Sequence, residues 1–159
     1  MPIVEAAIEV EAPDDVVFDV SQDYRLRLTW DPFLHDLRFE NGARAPAVGV
    51  RTWGRAKNGL TMTVEYVTID RPRRVAVRMV SRSALFERFA GTWLFERRTP
   101  ARTHVVFRYG FETRWRALRP LLERVIAWRF SRDLRDRLSA LKRAAEDPRR
   151  RDAVGDTYQ

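Results

Sequence analysis

Between Phe33 and Thr113 the chain alternates apolar and polar side chains with a period of two, interrupted only where turn residues cluster. A strand points successive side chains to opposite faces, so this run commits the middle of the molecule to half-buried sheet. Six strands are predicted: Phe33–Glu40, Val50–Lys57, Leu60–Asp70, Arg73–Arg82, Phe86–Arg97 and Arg102–Thr113. The breaks fall at Asn41-Gly42, Asn58-Gly59, Asp70-Arg71-Pro72 and Thr99-Pro100. Asn58-Gly59 is the strongest turn signal, because both residues tolerate the positive φ of a two-residue hairpin turn. Connections this short join antiparallel neighbours; parallel strands need crossovers of about a dozen residues or more.

A further strand precedes this run. In Ile3–Glu11, Val4, Ala6, Ile8 and Val10 share one face, while Glu5, Glu9 and Glu11 share the other. Ala12-Pro13-Asp14-Asp15 then opens a short helix, with its acids where the helix dipole favours them. Val16, Val17, Phe18 and Val20 form its apolar side, and a second short helix over Tyr24–Thr29 stops at Asp31-Pro32. After the sheet, a long helix is predicted from Leu118 to Glu146, since Pro120 fits only a first turn. Ile126, Phe130, Leu134, Leu138, Leu141 and Ala145 form its apolar ladder. Leu118, Leu121, Val125 and Trp128 add a second stripe, so the first half of the helix is expected to turn a wide apolar arc inward. Asp147-Pro148 ends the domain, taken as residues 1–147, and residues 148–159 read as a polar, mobile tail.

This order makes an α+β domain: a curved seven-stranded antiparallel sheet gripping a long C-terminal helix, with two short helices after the first strand. The concave apolar face of such a sheet must be covered, and only the long helix is large enough to do it. A helix lying to one side leaves a cavity beneath it.

Specific residues carry a resemblance. Ile8-x-Val10-x-Ala12-Pro13-x-x-Val16-x-Phe18-x-Val20, with Asp23-Tyr24 and Trp30-Asp31-Pro32, resembles the opening of helix-grip proteins. These comprise the START-type lipid-binding domains, the pollen-allergen folds and the polyketide aromatase/cyclases (the SRPBCC superfamily). Gly91-Thr92-Trp93-x-Phe95 with Thr103-x-Val105-x-Phe107 is similar to their closing hairpin, and Leu138-x-x-Leu141-Lys142-x-x-x-Glu146 to their terminal helix. The resemblance implies a hydrophobic ligand, such as a lipid, a quinone or a polyketide, held between sheet and helix. In some members that ligand is cyclised or dehydrated there. No cofactor is expected.

The parity of each strand then nominates cavity residues. Phe33, His35 and Phe39 are expected inward from the second strand, Met62 and Tyr66 from the fourth, and Met79 from the fifth. Trp93 and Phe95 are assigned to the inner side of the sixth strand, although Leu94 leaves that strand's facing open. Phe107, Tyr109 and Phe111 follow from the seventh, and Leu122, Val125 and Ile126 from the helix. Among these, His35, Tyr66 and Tyr109 carry polar tips suited to acid–base work or to donating a hydrogen bond to a ligand carbonyl. An ordinary core role stands beside that reading for each of them. His104 is expected on the surface, and Asp31 at the end of the short helix or at the cavity mouth. No nucleophile elbow, phosphate loop or dinucleotide fingerprint occurs. With two histidines and no cysteine, no metal site is expected.

Charge bears on partners. Lys and Arg number 30 against 22 Asp and Glu, for a net charge of +8, and only Lys57 and Lys142 are lysines. From Arg114 to Glu146 ten cations face four acids, so six of the eight net charges lie on the long helix and the few residues before it. Asp133 precedes Arg137 by four residues and Asp136 follows Arg132 by four, a pattern that reads as an exposed face laced with ion pairs. Such a face would attract an acidic protein or an anionic membrane surface. Specific nucleic-acid binding is not expected, because the same helix is needed to close the core and no reader motif accompanies it. No apolar run is long enough to span a bilayer, and Met1-Pro2-Ile3-Val4-Glu5 lacks the basic start of a signal peptide, so a cytoplasmic protein is expected.

Overall fold

Alternation becomes strand throughout the predicted run. The computed structural model describes residues 1–155. It places β1 (Ile3–Val10), β2 (Leu34–Phe39), β3 (Arg51–Ala56), β4 (Thr61–Asp70), β5 (Arg74–Met79), β6 (Phe86–Thr99) and β7 (Arg102–Thr113) in one antiparallel sheet. The spatial order β1-β7-β6-β5-β4-β3-β2 is a meander closed by the first strand, so β1 and β2 form its two edges. Two short helices, α1 (Asp14–Gln22) and α2 (Tyr24–Trp30), carry the chain from one edge to the other. Their junction is Asp23, whose carboxylate accepts from the Arg25 and Leu26 amides and caps α2. After a single 3-10 turn, α3 (Arg119–Glu146) runs back over the concave face.

The packing of α3 is uneven along its length, and that decides where the site lies. Its C-terminal half presses Leu134, Leu138 and Leu141 against β1, β7 and α1, where Val10, Val17, Val20 and Val105 complete a solvent-free core. Each such aliphatic side chain contributes about 1.5–3 kcal/mol on burial. The N-terminal half is different: Leu118, Leu121, Val125 and Trp128 are all more than half exposed. The second stripe therefore faces outward. The sheet beneath is covered by the first stripe alone, through Ile126, Phe130 and Leu134.

Two local expectations are corrected. At the β3–β4 turn only Gly59 adopts positive φ, and its amide donates to the Ala56 carbonyl at 2.9 Å. The dipeptide in which both residues take positive φ is Asn41-Gly42, which opens the longer β2–β3 loop. Within the stretch read as a mobile tail, Pro148–Gly155 forms a helix, α4. Asp147-Pro148 ends one helix and starts the next: the Asp147 carboxylate accepts from the Arg149 amide, and Pro148 occupies the first helical position, where no amide is needed. Arg151 anchors α4 by donating to the Ala145 and Glu11 carbonyls. Residues 156–159 lie outside the described residues. Among the described residues no helix is long and apolar enough to cross a membrane.

Candidate functional site

While α3 packs on β1 and β7, and α2 on β2, the concave faces of β3 to β7 line a cavity between them. Its volume is ≈ 140 Å³. A dry cavity of about 150 Å³ accepts a benzene-sized molecule, so this one is scaled to a ring and not to a fully extended acyl chain. The walls are largely apolar: Leu37, Met62, Val64, Val77, Trp93 and Phe107 face it from the sheet, and Phe130 from α3. Trp93 and Phe107 stack with ring centroids 3.6 Å apart, and Phe107 meets Tyr109 edge to face at 4.9 Å. This aromatic layer makes a rigid floor.

Two polar clusters break the apolar wall. In the first, the Tyr24 hydroxyl bonds the Tyr66 hydroxyl and the Thr52 hydroxyl, the latter at 2.9 Å, and Gln22 Oε1 lies 3.5 Å from Tyr66. Tyr24 is braced from behind by Phe39, stacked on it at 4.2 Å. The second cluster is ionic. Asp31 caps the end of α2; its Oδ1 accepts from the Phe33 amide, and its Oδ2 from Arg27 and Arg137. Arg137 also donates through Nη1 to the Tyr109 hydroxyl and lies over the rings of Phe33 and Phe107, 4.8 and 5.0 Å from their centroids. Asp31 is 2% and Arg137 3% exposed, so both charges are held inside the protein.

Electrostatics fix the protonation of these groups. Burial alone would raise the Asp31 pKa, but the Arg137 and Arg27 guanidiniums and the Phe33 amide hold it below the usual carboxylate range. Burial raises the phenol of Tyr109, against the pull of Arg137, and burial likewise raises that of Tyr24. At neutral pH the cavity therefore presents the neutral hydroxyls of Tyr24 and Tyr109 and two arginines that share one carboxylate. It offers donors to an oxygen atom.

The structure sorts the predicted residues. Phe33, Met62, Tyr66, Trp93, Phe107 and Tyr109 all line the cavity, and β6 turns Phe89, Gly91, Trp93 and Phe95 inward, which settles the side that Leu94 left open. Phe95, Phe111 and Met79 point to the same face but pack in the core beside the cavity. Phe39 acts one step back, behind Tyr24. His35 is displaced: the register shifts between Leu34 and Asp36, the extra residue resets the parity of β2, and the imidazole is exposed while Leu34 and Leu37 face the cavity. Leu122 and Ile126 are half-buried and do not line the cavity, and Val125 is 56% exposed. His104 bonds Glu9 at 2.6 Å at the sheet edge.

Parity arguments on strands missed the helix contributions. Arg137 was expected on a solvated face paired with Asp133; it turns inward to Asp31, while Asp133 pairs with Arg129 at 3.3 Å. A signal was present, because Arg137 continues the buried ladder of Leu134, Leu138 and Leu141 at helical spacing. Arg27 and Asp31, four apart on α2, gave a second.

The family described as polyketide cyclase / dehydrase and lipid transport matches residues 1–146. No curated protein matches the chain. Among solved structures, the Zhui aromatase/cyclase from Streptomyces sp. R1128 superposes with a TM-score of 0.74 at 21% identity, over 91% of this chain and 93% of that one. A START superfamily protein from Mycobacterium smegmatis gives a TM-score of 0.72 at 12% identity, over 91% and 97% of the two chains. The di-domain ARO/CYC BexL from the BE-7585A biosynthetic pathway gives 0.68 at 18% identity over 90% of this chain, which spans 46% of that protein. At these identities the likeness is one of fold: a helix-grip architecture.

Proposed function

The chain belongs to the polyketide cyclase/dehydrase and lipid-transport family, and we propose that its cavity binds a hydrophobic, ring-bearing small molecule through an oxygen function directed at Arg137 and Tyr109. One observation carries this reading: a buried arginine that shares its paired carboxylate with a second arginine lines a largely apolar, ring-sized cavity. Arg27 and Arg137 share the single carboxylate of Asp31, which leaves the inner wall electropositive. A carbonyl, phenolate or carboxylate oxygen would complete it, with the aromatic floor receiving the ring. A quinone or a polyketide-like ring fits this description better than a saturated chain. Native mass spectrometry of the purified protein, followed by solvent extraction, tests the reading. The expected result is an oxygenated ring compound at one per chain, absent from a Val64→Phe variant whose larger side chain fills the cavity. Straight-chain lipid as the only extract would overturn it.

A second reading adds turnover. In this reading the Tyr109 hydroxyl and the Arg137 guanidinium, already hydrogen-bonded to each other, would stabilise an enolate oxygen, the charge that develops in aldol cyclisation of a polyketide. Aromatase/cyclase activity of the Zhui protein, which shares the fold, supports this reading by analogy. Incubation with a linear poly-β-keto thioester, read by liquid chromatography and mass spectrometry, separates the two. Loss of water with ring formation, abolished in Arg137→Met, would establish turnover; unchanged thioester leaves binding alone.

A further inference from the structure

The outer face of α3 combines two features that solvent does not favour together. Leu118, Leu121, Val125 and Trp128, spaced three, four and three residues apart, form one continuous apolar stripe, and Trp115 extends it from the preceding turn. All five are between 53% and 66% exposed. Scattered exposed apolar residues are ordinary; five aligned large ones on the outside of one helix are not. Arginines border the stripe: Arg114 at its start, Arg124 on one flank, Arg129 on the other and Arg132 at its end. Among the described residues, Arg114, Arg116, Arg124 and Arg132 make no ion pair. The one acid in the first half of the helix, Glu123, is turned away and accepts from the Thr113 amide.

We propose that this face docks the protein onto an anionic lipid bilayer, with the α3 axis lying in the plane of the interface. Three arguments select that occupant. The stripe lies on a convex helix surface and not in a groove, so it suits a flat, deformable apolar layer better than an inserted peptide. Two tryptophans at its ends with arginines alongside match the division of an interface into acyl, headgroup and phosphate levels. A second copy of the chain would bring like-charged arginine rims together, whereas a negative leaflet is complementary to them. The placement also has a use. Arg129, on the flank of the stripe, lines a cleft with Pro32, Lys57 and Asn58, and this cleft shares Phe33 and Arg137 with the cavity. A docked molecule would hold that cleft beside the membrane.

The test is co-flotation of the whole protein with vesicles of pure phosphatidylcholine and of phosphatidylcholine mixed with phosphatidylglycerol, together with tryptophan emission. Binding to the mixed vesicles with a blue shift is expected, weakened by salt and by at least about tenfold in Arg124→Glu/Arg132→Glu. Leu121→Ser/Trp128→Ser should bind at least about tenfold more weakly with unchanged circular dichroism, since both side chains are already exposed. Absence of flotation with phosphatidylglycerol would overturn the proposal, as would flotation that survives loss of the stripe. Light scattering that finds a dimer dissociated by Leu121→Ser/Trp128→Ser would assign the face to a second copy. Equal binding to soluble polyglutamate would assign it to an acidic protein.

Discussion

Asp31 and Arg137, 106 residues apart in sequence, are joined where Oδ2 accepts from Nε at 3.1 Å and from Nη2 at 2.7 Å. Arg27 reaches the same oxygen from α2 at 3.2 Å. One carboxylate therefore ties the short helix to the long one beside the cavity.

Removing that carboxylate leaves two buried guanidiniums facing each other. Asp31→Ala is expected to lose about 3–5 kcal/mol, the usual cost of orphaning a buried ionic partner. Arg137→Met keeps Arg27 on Asp31 and substitutes a side chain of similar reach, so it should lose clearly less. Urea unfolding midpoints of the two variants measure the difference. Equal losses would show that the ionic cluster is not the fastening between the helices.

Acid should undo the same contact. Asp31 is held below its ordinary value against the opposing effect of burial, as are Asp14 by Arg97 and Glu146 by Lys142 and the Glu11 amide. A depressed folded pKa adds stability above the unfolded value, near ~4, and that stability is lost as pH falls through the folded value. Thermal midpoints should stay level from pH 7 to about pH 5 and then fall steeply below about pH 4. Asp31→Asn should begin lower and show a shallower fall. A parallel fall in both proteins would remove Asp31 from the acid limb.

The two tyrosines should separate ligand affinity from stability. Tyr109→Phe removes the acceptor of Arg137 and the donor nearest the proposed ligand oxygen. Tyr66→Phe breaks one member of a network in which Tyr24 keeps Thr52. Tyr66→Phe should lose about 0.5–1.5 kcal/mol in denaturant melts, the net value of a hydrogen bond, and Tyr109→Phe about 1.5–3 kcal/mol, because it leaves a buried guanidinium N–H without its acceptor. Tyr109→Phe should retain far less of the extracted ligand than Tyr66→Phe, measured by native mass spectrometry of both proteins.

Phe130 and Phe111 are both buried rings in mutual contact at 5.3 Å, yet only Phe130 lines the cavity. Either change to Ala should cost about 3–5 kcal/mol. Only Phe130→Ala should admit a larger ring system, seen as a shift in the mass of co-purifying or added aromatic compounds. Enlarged ligand tolerance in Phe111→Ala would redraw the cavity boundary.

Much of this architecture is legible in the sequence, because alternation and ladder spacing report burial directly. Met62, Tyr66, Phe107 and Tyr109 were placed by parity alone. Parity fails where the backbone changes count, and one extra residue between Leu34 and Asp36 sends His35 outward. It also has nothing to say about distance in sequence: Arg137 reads as a surface cation until Asp31 is brought against it. The stripe of Leu118, Leu121, Val125 and Trp128 was visible as apolar, but helical periodicity cannot distinguish a face turned to the core from one turned outward. Pro148 shows the same ambiguity at smaller scale, since a residue that stops one helix also suits the start of another.

The uneven seating of α3 couples loading to folding. Any molecule accepted by the cavity covers walls that the helix itself does not, so it behaves thermodynamically as a missing piece of the interior. At a hundredfold excess over its dissociation constant such a ligand adds about 2.7 kcal/mol to the folded state. For a domain of this size that is a large share of a typical stability of about 5–15 kcal/mol. A ligand at that level would therefore slow proteolysis through the unfolded state, and the protection gained would report how full the cavity is.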